Sequence, residues 1–156
     1  MRLLRIGIMT KGGRRAFWDS SALVPLFCRD IYTSRSRELL RRFPEIVTWW
    51  NTPVEIHGVL IRLSKEKRIT PEGLEKGLGY VQQFRLRWRE IQPVDSVRDS
   101  AEDCLDRFRI RSADAVQLAA ALLWCSQMPR NRPFICYDSE LSDAARQCGF
   151  EVYCVP

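Results

Sequence analysis

Four carboxylates occupy comparable places along the chain, each just after a predicted strand or in the first turn of a predicted helix. Asp19 follows the first strand, Glu55 and Asp114 open two helices, and Asp138 follows a late strand. In open parallel sheets, sites gather outside the carboxyl ends of the strands, where helix N-termini also converge. Four residues far apart in sequence can therefore face one pocket.

Carboxylates that are packed together repel one another unless a cation neutralises them. Hard oxygen ligands of this type suit Mg²⁺, or Mn²⁺, rather than zinc. A divalent ion can activate water and stabilise the charge that develops on a phosphate group, so no nucleophilic side chain is required. The predicted chemistry is metal-dependent hydrolysis of a phosphodiester.

Each carboxylate also has a structural alternative. Asp19 and Asp138 could cap the helices that follow them, and Glu55 could complete a capping box that begins at Thr52. Asp114 could complement the dipole of its helix. For Glu55 and Asp138, taken singly, the structural alternative is favoured, and for Asp19 both stay open.

The helix that carries Asp114 points to a functional role for this residue. It is predicted to begin after a cap at Ser112 and to run through Cys125, and it is apolar nearly all round. Asp114 and Gln117, one turn on, make its only polar stripe. A buried carboxylate needs a partner or a metal ion, so the functional interpretation is favoured here.

The elements that must position these residues alternate between strand and helix patterns, which is typical of βαβ units around a parallel sheet. About five strands are predicted, with helices on both faces. Predicted strands cover residues 16–18, 45–49, 91–94, 133–137 and 150–155. Predicted helices cover 20–27, 52–67, 71–88, 97–108, 112–125 and 139–148, and residues 35–42 form a basic amphipathic segment. We interpret residues 1–15 as a basic N-terminal extension, without fixed structure, before a single domain over residues 16–156.

Composition indicates the kind of partner and the compartment. The net charge is +6, from 25 Lys plus Arg against 19 Asp plus Glu, and the arginine excess favours a nucleic-acid partner. Arg62, Arg109 and Arg111 could hold phosphates, or could form a solvated, ion-paired surface. Six cysteines without a C-x-x-C pair indicate reduced thiols and a cytoplasmic location. No segment suits a signal peptide or a membrane span, so we expect no membrane partner.

Four strings, in order along nearly the whole chain, resemble the motifs of the PIN-domain ribonucleases, and the resemblance extends to the VapC-type toxins of type II toxin–antitoxin systems. The strings are Phe17–Val24, Val54–Arg62, Arg111–Ala119 and Tyr137–Leu141. The resemblance implies a Rossmann-like α/β/α sandwich, Mg²⁺-dependent cleavage of single-stranded or looped RNA, and an antitoxin partner.

The same resemblance assigns roles to particular residues. It implies that the metal-binding, catalytic set is Asp19, Glu55, Asp114 and Asp138, with Ser21 as an auxiliary polar group. Many relatives have histidine where this chain has Gln117, which can hydrogen-bond but cannot titrate. We therefore name Gln117, with Arg62 and Arg111, as an auxiliary or RNA-contacting residue.

Two rival functions are weighed against the ribonuclease. One is a catalytically silent module of the same fold that binds RNA or protein. The other is a phosphatase of the haloacid dehalogenase type, which needs a second Asp two residues after the first, where this chain has Ser21. His57 is the only histidine, so a metal-free mechanism based on a histidine pair cannot be assembled, and we interpret His57 as structural.

The two helices between Thr52 and Arg89 form an arm with more apolar residues than one core-facing stripe requires. These residues are Leu74, Leu78, Tyr80, Val81, Phe84, Leu86 and Trp88. We expect an exposed apolar groove there, suited to an antitoxin segment or to a homodimer contact. Trp49 and Trp50 are assigned to the core rather than to base stacking.

Overall fold

A parallel β-sheet with helices on both faces organises the chain, and the computed structural model describes residues 14–154. The strands are β1 (Arg15–Trp18), β2 (Glu45–Trp49), β3 (Arg89–Ile91), β4 (Pro133–Ile135) and β5 (Glu151–Tyr153). The helices are α1 (Ser20–Leu23), α2 (Thr33–Arg42), α3 (Thr52–Lys65), α4 (Pro71–Arg85), α5 (Asp95–Arg107), α6 (Ser112–Trp124) and α7 (Ser139–Cys148). The predicted α/β fold with five parallel strands is confirmed.

The strand order places a topological switch at the centre of the sheet. The order is β3-β2-β1-β4-β5, and each neighbouring pair is parallel. The chain moves outward from β1 to β3 on one side, and then returns to build β4 and β5 on the other. The crevice between the carboxyl ends of β1 and β4 is where ligands bind in open α/β sheets.

Alternating strand residues enter two separate cores, one on each face of the sheet. Phe17 is fully buried in the core formed with α5, α6 and α7. Its neighbours Ala16 and Trp18 are fully buried in the core formed with α1 to α4. Both faces of the central strand are apolar, as expected for a sheet covered on both sides.

Several element boundaries differ from the predictions. The first helix ends at Leu23, and a 3₁₀ turn over Val24–Leu26 replaces its second half, because Pro25 lacks an N–H donor. The third strand ends at Ile91 rather than beginning there. Arg15 already belongs to β1 and donates to Glu45 at 2.7 Å, so the first strand starts one residue earlier than predicted. Residues 1–13 of the proposed extension lie outside the described range.

The helical arm exposes less apolar surface than its sequence predicts. Val81 and Trp88 are buried, Leu74, Leu78, Tyr80 and Phe84 pack partly buried against the same core, and only Leu86 among the seven is fully exposed. Gly77 allows this packing, since a Cβ atom there would lie 2.8 Å from the Phe27 carbonyl oxygen.

The two tryptophans at the end of β2 have different environments. Trp49 is 8% exposed, which confirms its assignment to the core, whereas Trp50 is 44% exposed and its assignment is wrong. Within residues 14–154, no helix combines the length and the apolar character needed to cross a membrane.

Candidate active site

Asp19 lies at the central switch point, directly after β1. Its backbone N–H donates to the Ile135 carbonyl oxygen at 2.9 Å, which ties the end of β1 to the end of β4. Its carboxylate accepts from the Ser21 N–H at 2.9 Å and from the Ser21 hydroxyl. Asp19 therefore caps α1, as the structural alternative predicts, and its side chain is also buried.

Burial raises the pKa of Asp19 to about 6. The hydrogen bonds from Ser21 lower it, and the negative charge of Glu55 raises it further. A cap on an exposed helix end would have no such rise, because water would solvate its charge. The capping role alone does not account for this environment.

Glu55 does not form the predicted capping box. The N-cap of α3 is Asn51 rather than the predicted Thr52, and no side chain caps the helix. The Thr52 side chain is instead buried and hydrogen-bonded to Thr48 at 2.9 Å. Glu55 is thus free to make tertiary contacts, and its carboxylate accepts from Gln117 Nε2 at 3.0 Å.

The environment of Glu55 links it to the other acidic residues. Burial raises its pKa, hydrogen bonding from Ser20 and Gln117 lowers it, and the charge of Asp114 raises it. Ser20 directly follows Asp19 in the chain. Glu55 therefore lies between the end of β1 and the first turn of α6.

Asp114 is the carboxylate that interacts with both sides of the cluster. Burial, followed by the charges of Asp138 and Asp19, raises its pKa to about 6, and Arg111 lowers it. The predicted cap at Ser112 is wrong, because Arg111 is the N-cap and makes no side-chain capping bond. Asp114 therefore shares an electrostatic environment with the other carboxylates, and no side chain caps the start of this helix.

Asp138 precedes α7 and accepts from the Leu141 N–H at 2.8 Å. This is the capping role that the structural alternative predicts. Its backbone N–H donates to the Cys136 sulfur at 3.3 Å, and its charge acts on Asp114. Asp138 is therefore both a helix cap and a member of the acidic cluster.

Electrostatic coupling joins the four carboxylates into one group. Asp19 interacts with Glu55, Glu55 with Asp114, and Asp114 with both Asp19 and Asp138. Among residues 14–154, however, no three Asp, Glu, Cys or His side chains approach closely enough to hold an ion directly.

The donor set fits a hydrated hard cation. Mg²⁺ keeps several of its waters and is bound through one or two carboxylates, so it does not need a tight protein cage. The site also contains an unpaired acceptor: Gln117 Oε1 is buried and has no hydrogen-bond partner in the described structure. Oxygen donors and raised carboxylate pKa values both suit a cation of this class.

The auxiliary residues divide into members of the cluster and a surface residue. Ser21 binds Asp19, Gln117 binds Glu55, and Arg111 acts on Asp114. Arg62 instead pairs with Glu66 at 3.9 Å on the exposed face of α3, as the solvated-surface alternative predicts. His57 is also exposed, so it does not serve the core.

Sequence reasoning missed Cys136, which is fully buried. Its sulfur lies 3.7 Å from Asp19 Oδ2 and 3.8 Å from the Ser21 hydroxyl. Burial raises the pKa of this thiol well above its ordinary value, so the group is a neutral thiol at neutral pH. Cys136 follows β4 and stands two residues after Phe134, so the period-2 alternation of extended chain places both side chains on the same face. This alternation is the signal from which the burial of Cys136 could have been predicted.

Comparisons with known proteins support the fold. No protein-family model matches this sequence, and no curated protein matches it. A chain of a solved toxin–antitoxin complex from Klebsiella pneumoniae is similar in structure, with a TM-score of 0.56 and 16% sequence identity. The match covers 80% of this chain and 88% of that one. At this identity the likeness shows a shared fold.

Proposed function

We propose that this chain is a metal-dependent endoribonuclease and the toxin component of a toxin–antitoxin pair. The observation that carries the proposal is the group of four electrostatically coupled carboxylates at the switch point of a parallel sheet. Like charges gathered at one edge of a sheet oppose folding, so their presence favours a functional explanation. The fold shared with a chain of a toxin–antitoxin complex supports the toxin assignment.

In this proposal Asp19, Glu55, Asp114 and Asp138 hold Mg²⁺, or Mn²⁺. When bound, the ion supplies an electrophile that lowers the pKa of water and neutralises charge on a phosphodiester. The Ser21 hydroxyl and N–H hold the Asp19 carboxylate in place. Arg111, beside Asp114, provides a positive charge for the RNA backbone.

The proposed macromolecular partners are RNA, an antitoxin and a second copy of this chain. The net charge of +6 supports RNA binding. Exposed apolar residues at the edge of the arm and after α1, Leu86 at 88% and Ile31 at 85% exposure, support protein contacts. Size-exclusion chromatography with light scattering tests the homodimer directly.

A second candidate is a catalytically silent RNA- or protein-binding module. The separation of the carboxylates favours it, because no three of the described acidic, thiol or imidazole side chains meet at ligand distance. Such a module would bind RNA equally well with or without a divalent ion. Cleavage activity is the property that distinguishes the two candidates.

The deciding experiment incubates the full chain with single-stranded and hairpin RNA in Mg²⁺, in Mn²⁺ and in EDTA. We expect cleavage with either ion and none in EDTA. Asp114→Asn, purified identically, controls for contaminating nucleases and should be inactive. Cleavage at full rate in EDTA, or by the variant, would refute the metal-dependent mechanism, and an inert wild-type chain would favour the silent module.

A further inference from the structure

A chain of buried hydrogen bonds connects the centre of the sheet to Glu55. The Thr48 hydroxyl donates to the Trp18 carbonyl oxygen at 2.8 Å and is hydrogen-bonded to the Thr52 hydroxyl at 2.9 Å. Gln117 Nε2 donates to Thr52 at 3.2 Å and to Glu55 Oε2 at 3.0 Å. Thr48, Thr52 and Gln117 are each at most 1% exposed, so water does not compete for the bonds among them, whereas the bond to Glu55 is partly buried.

Gln117 is an unusual residue for its position. Most other residues of its helix after Asp114 are buried and apolar, such as the fully buried Leu118 and Ala121. Gln117 Oε1 is buried without a partner in residues 14–154, and an unpaired buried acceptor destabilises a fold. An apolar side chain of the same size would avoid that penalty, so packing does not explain a glutamine here.

The orientation of the amide follows from the chemistry of its neighbour. An ionised carboxylate accepts hydrogen bonds and donates none, so the amide nitrogen is the atom that faces Glu55. The same nitrogen is held from behind by Thr52, which the Thr48 hydroxyl connects to the backbone of β1. The amide is thereby fixed before any ligand binds.

We propose that Gln117 is a positioning residue that orients the Glu55 carboxylate toward the other acidic residues. This inference rests on the proposed metal-dependent function. Residues that hydrogen-bond to a metal ligand without contacting the ion typically lower metal affinity 10- to 100-fold when they are removed. The unpaired Oε1 has a role in the same site, as an acceptor for a water molecule that accompanies the ion.

The test measures Mn²⁺ affinity by calorimetry on the full chain. Gln117→Met keeps the side-chain volume and removes both the amide donor to Glu55 and the Oε1 acceptor. We therefore expect Mn²⁺ to bind about 10- to 100-fold more weakly. Gln117→His retains one N–H donor and one acceptor and should restore binding to within about tenfold of wild type. The metal-free melting temperature of both variants should stay within about 4 °C of wild type, about one kcal/mol for a chain of this length.

The matched control is Leu118→Met, a buried volume-conserving change on the same helix without polar contacts. The Mn²⁺ affinity of this control should stay within about twofold of the wild-type value, which is the variation expected when no contact to the site is lost. Unchanged Mn²⁺ binding by Gln117→Met would overturn the inference, as would an equal loss in the Leu118→Met control. Absence of Mn²⁺ binding by the wild-type chain would overturn the proposed function itself, and the inference with it.

Discussion

Replacing Asp19 with asparagine should stabilise the metal-free protein at neutral pH. Asp19 is 4% exposed, and burial raises its pKa from 3.8 to about 6. A rise of about two pH units corresponds to about 3 kcal/mol, at about 1.4 kcal/mol for each unit. Asparagine is an equally good helix cap and can accept the two bonds from Ser21, so it removes the buried charge and keeps the cap.

The direction of the pH dependence follows from linkage. A carboxyl group with a higher pKa in the folded than in the unfolded protein binds its proton more tightly when folded. Its stabilising contribution is complete below about pH 4 and is lost as the pH rises through about 6. The advantage of Asp19→Asn should therefore be absent near pH 4 and should reach about 1–3 kcal/mol at pH 7.5, the upper value being the full linkage energy.

Urea unfolding in EDTA at pH 4, 5, 6 and 7.5 measures this difference. In a thermal scan of a chain of this length, the same 1–3 kcal/mol would appear as a rise of roughly 2–12 °C in melting temperature. Asp95→Asn is the control, since the Asp95 side chain is 87% exposed at the start of α5. Its effect should stay within about 0.5 kcal/mol at all four pH values. If the stabilisation by Asp19→Asn is the same at pH 4 and at pH 7.5, the assignment of Asp19 as a buried carboxyl group with a raised pKa is refuted.

Four further outcomes are expected. Excess Mg²⁺ or Mn²⁺ should raise the free energy of unfolding of the wild type at pH 7.5, by about 2.7 kcal/mol at a hundred times the Kd, and the melting temperature should rise with it. The gain should shrink at pH 5 because protons compete with the ion; calorimetric scans check both. Asp114→Asn should lose RNA cleavage while its circular dichroism spectrum stays that of the wild type. Binding of a non-cleavable RNA, followed by anisotropy with Ca²⁺ in place of Mg²⁺, should weaken at least about tenfold between 50 and 200 mM salt and should change little between pH 5.5 and 7.5. Gly77→Ala should lower the free energy of unfolding in urea by about 1–3 kcal/mol, because its Cβ would meet the Phe27 carbonyl oxygen. The control Gly79→Ala, with open space around its Cβ, should be neutral or slightly stabilising.

Much of the fold could be predicted because its signals are local. Apolar runs such as Phe17–Trp18 and Ile46–Val47 indicate strands buried on both faces. Thr70 before Pro71 predicts the start of α4, and the structure shows Thr70 accepting from the Gly73 N–H at 3.0 Å. Gly149 after α7 has a φ of 107°, the left-handed geometry that favours glycine at a helix end.

The sequence by itself also determined which carboxylates to consider, because each follows a strand or opens a helix and parallel strands end at one edge. It could not determine which of them interact. The contact between Glu55 and Gln117 spans 62 positions, and that between Asp19 and Cys136 spans 117. Contacts of this range depend on strand order, and no local pattern encodes strand order.

The tertiary structure also decided between roles that a local pattern leaves equal. Thr52 has the residue type of an N-cap, but burial and a neighbouring Gln117 make it part of a polar network. Asp19 and Asp138 do cap their helices, and their charges also reach other members of the acidic cluster. Arg62 pairs with Glu66 at the surface. A side chain's role follows from what lies beside it and from the water that burial removes, and both are set only when distant segments pack together.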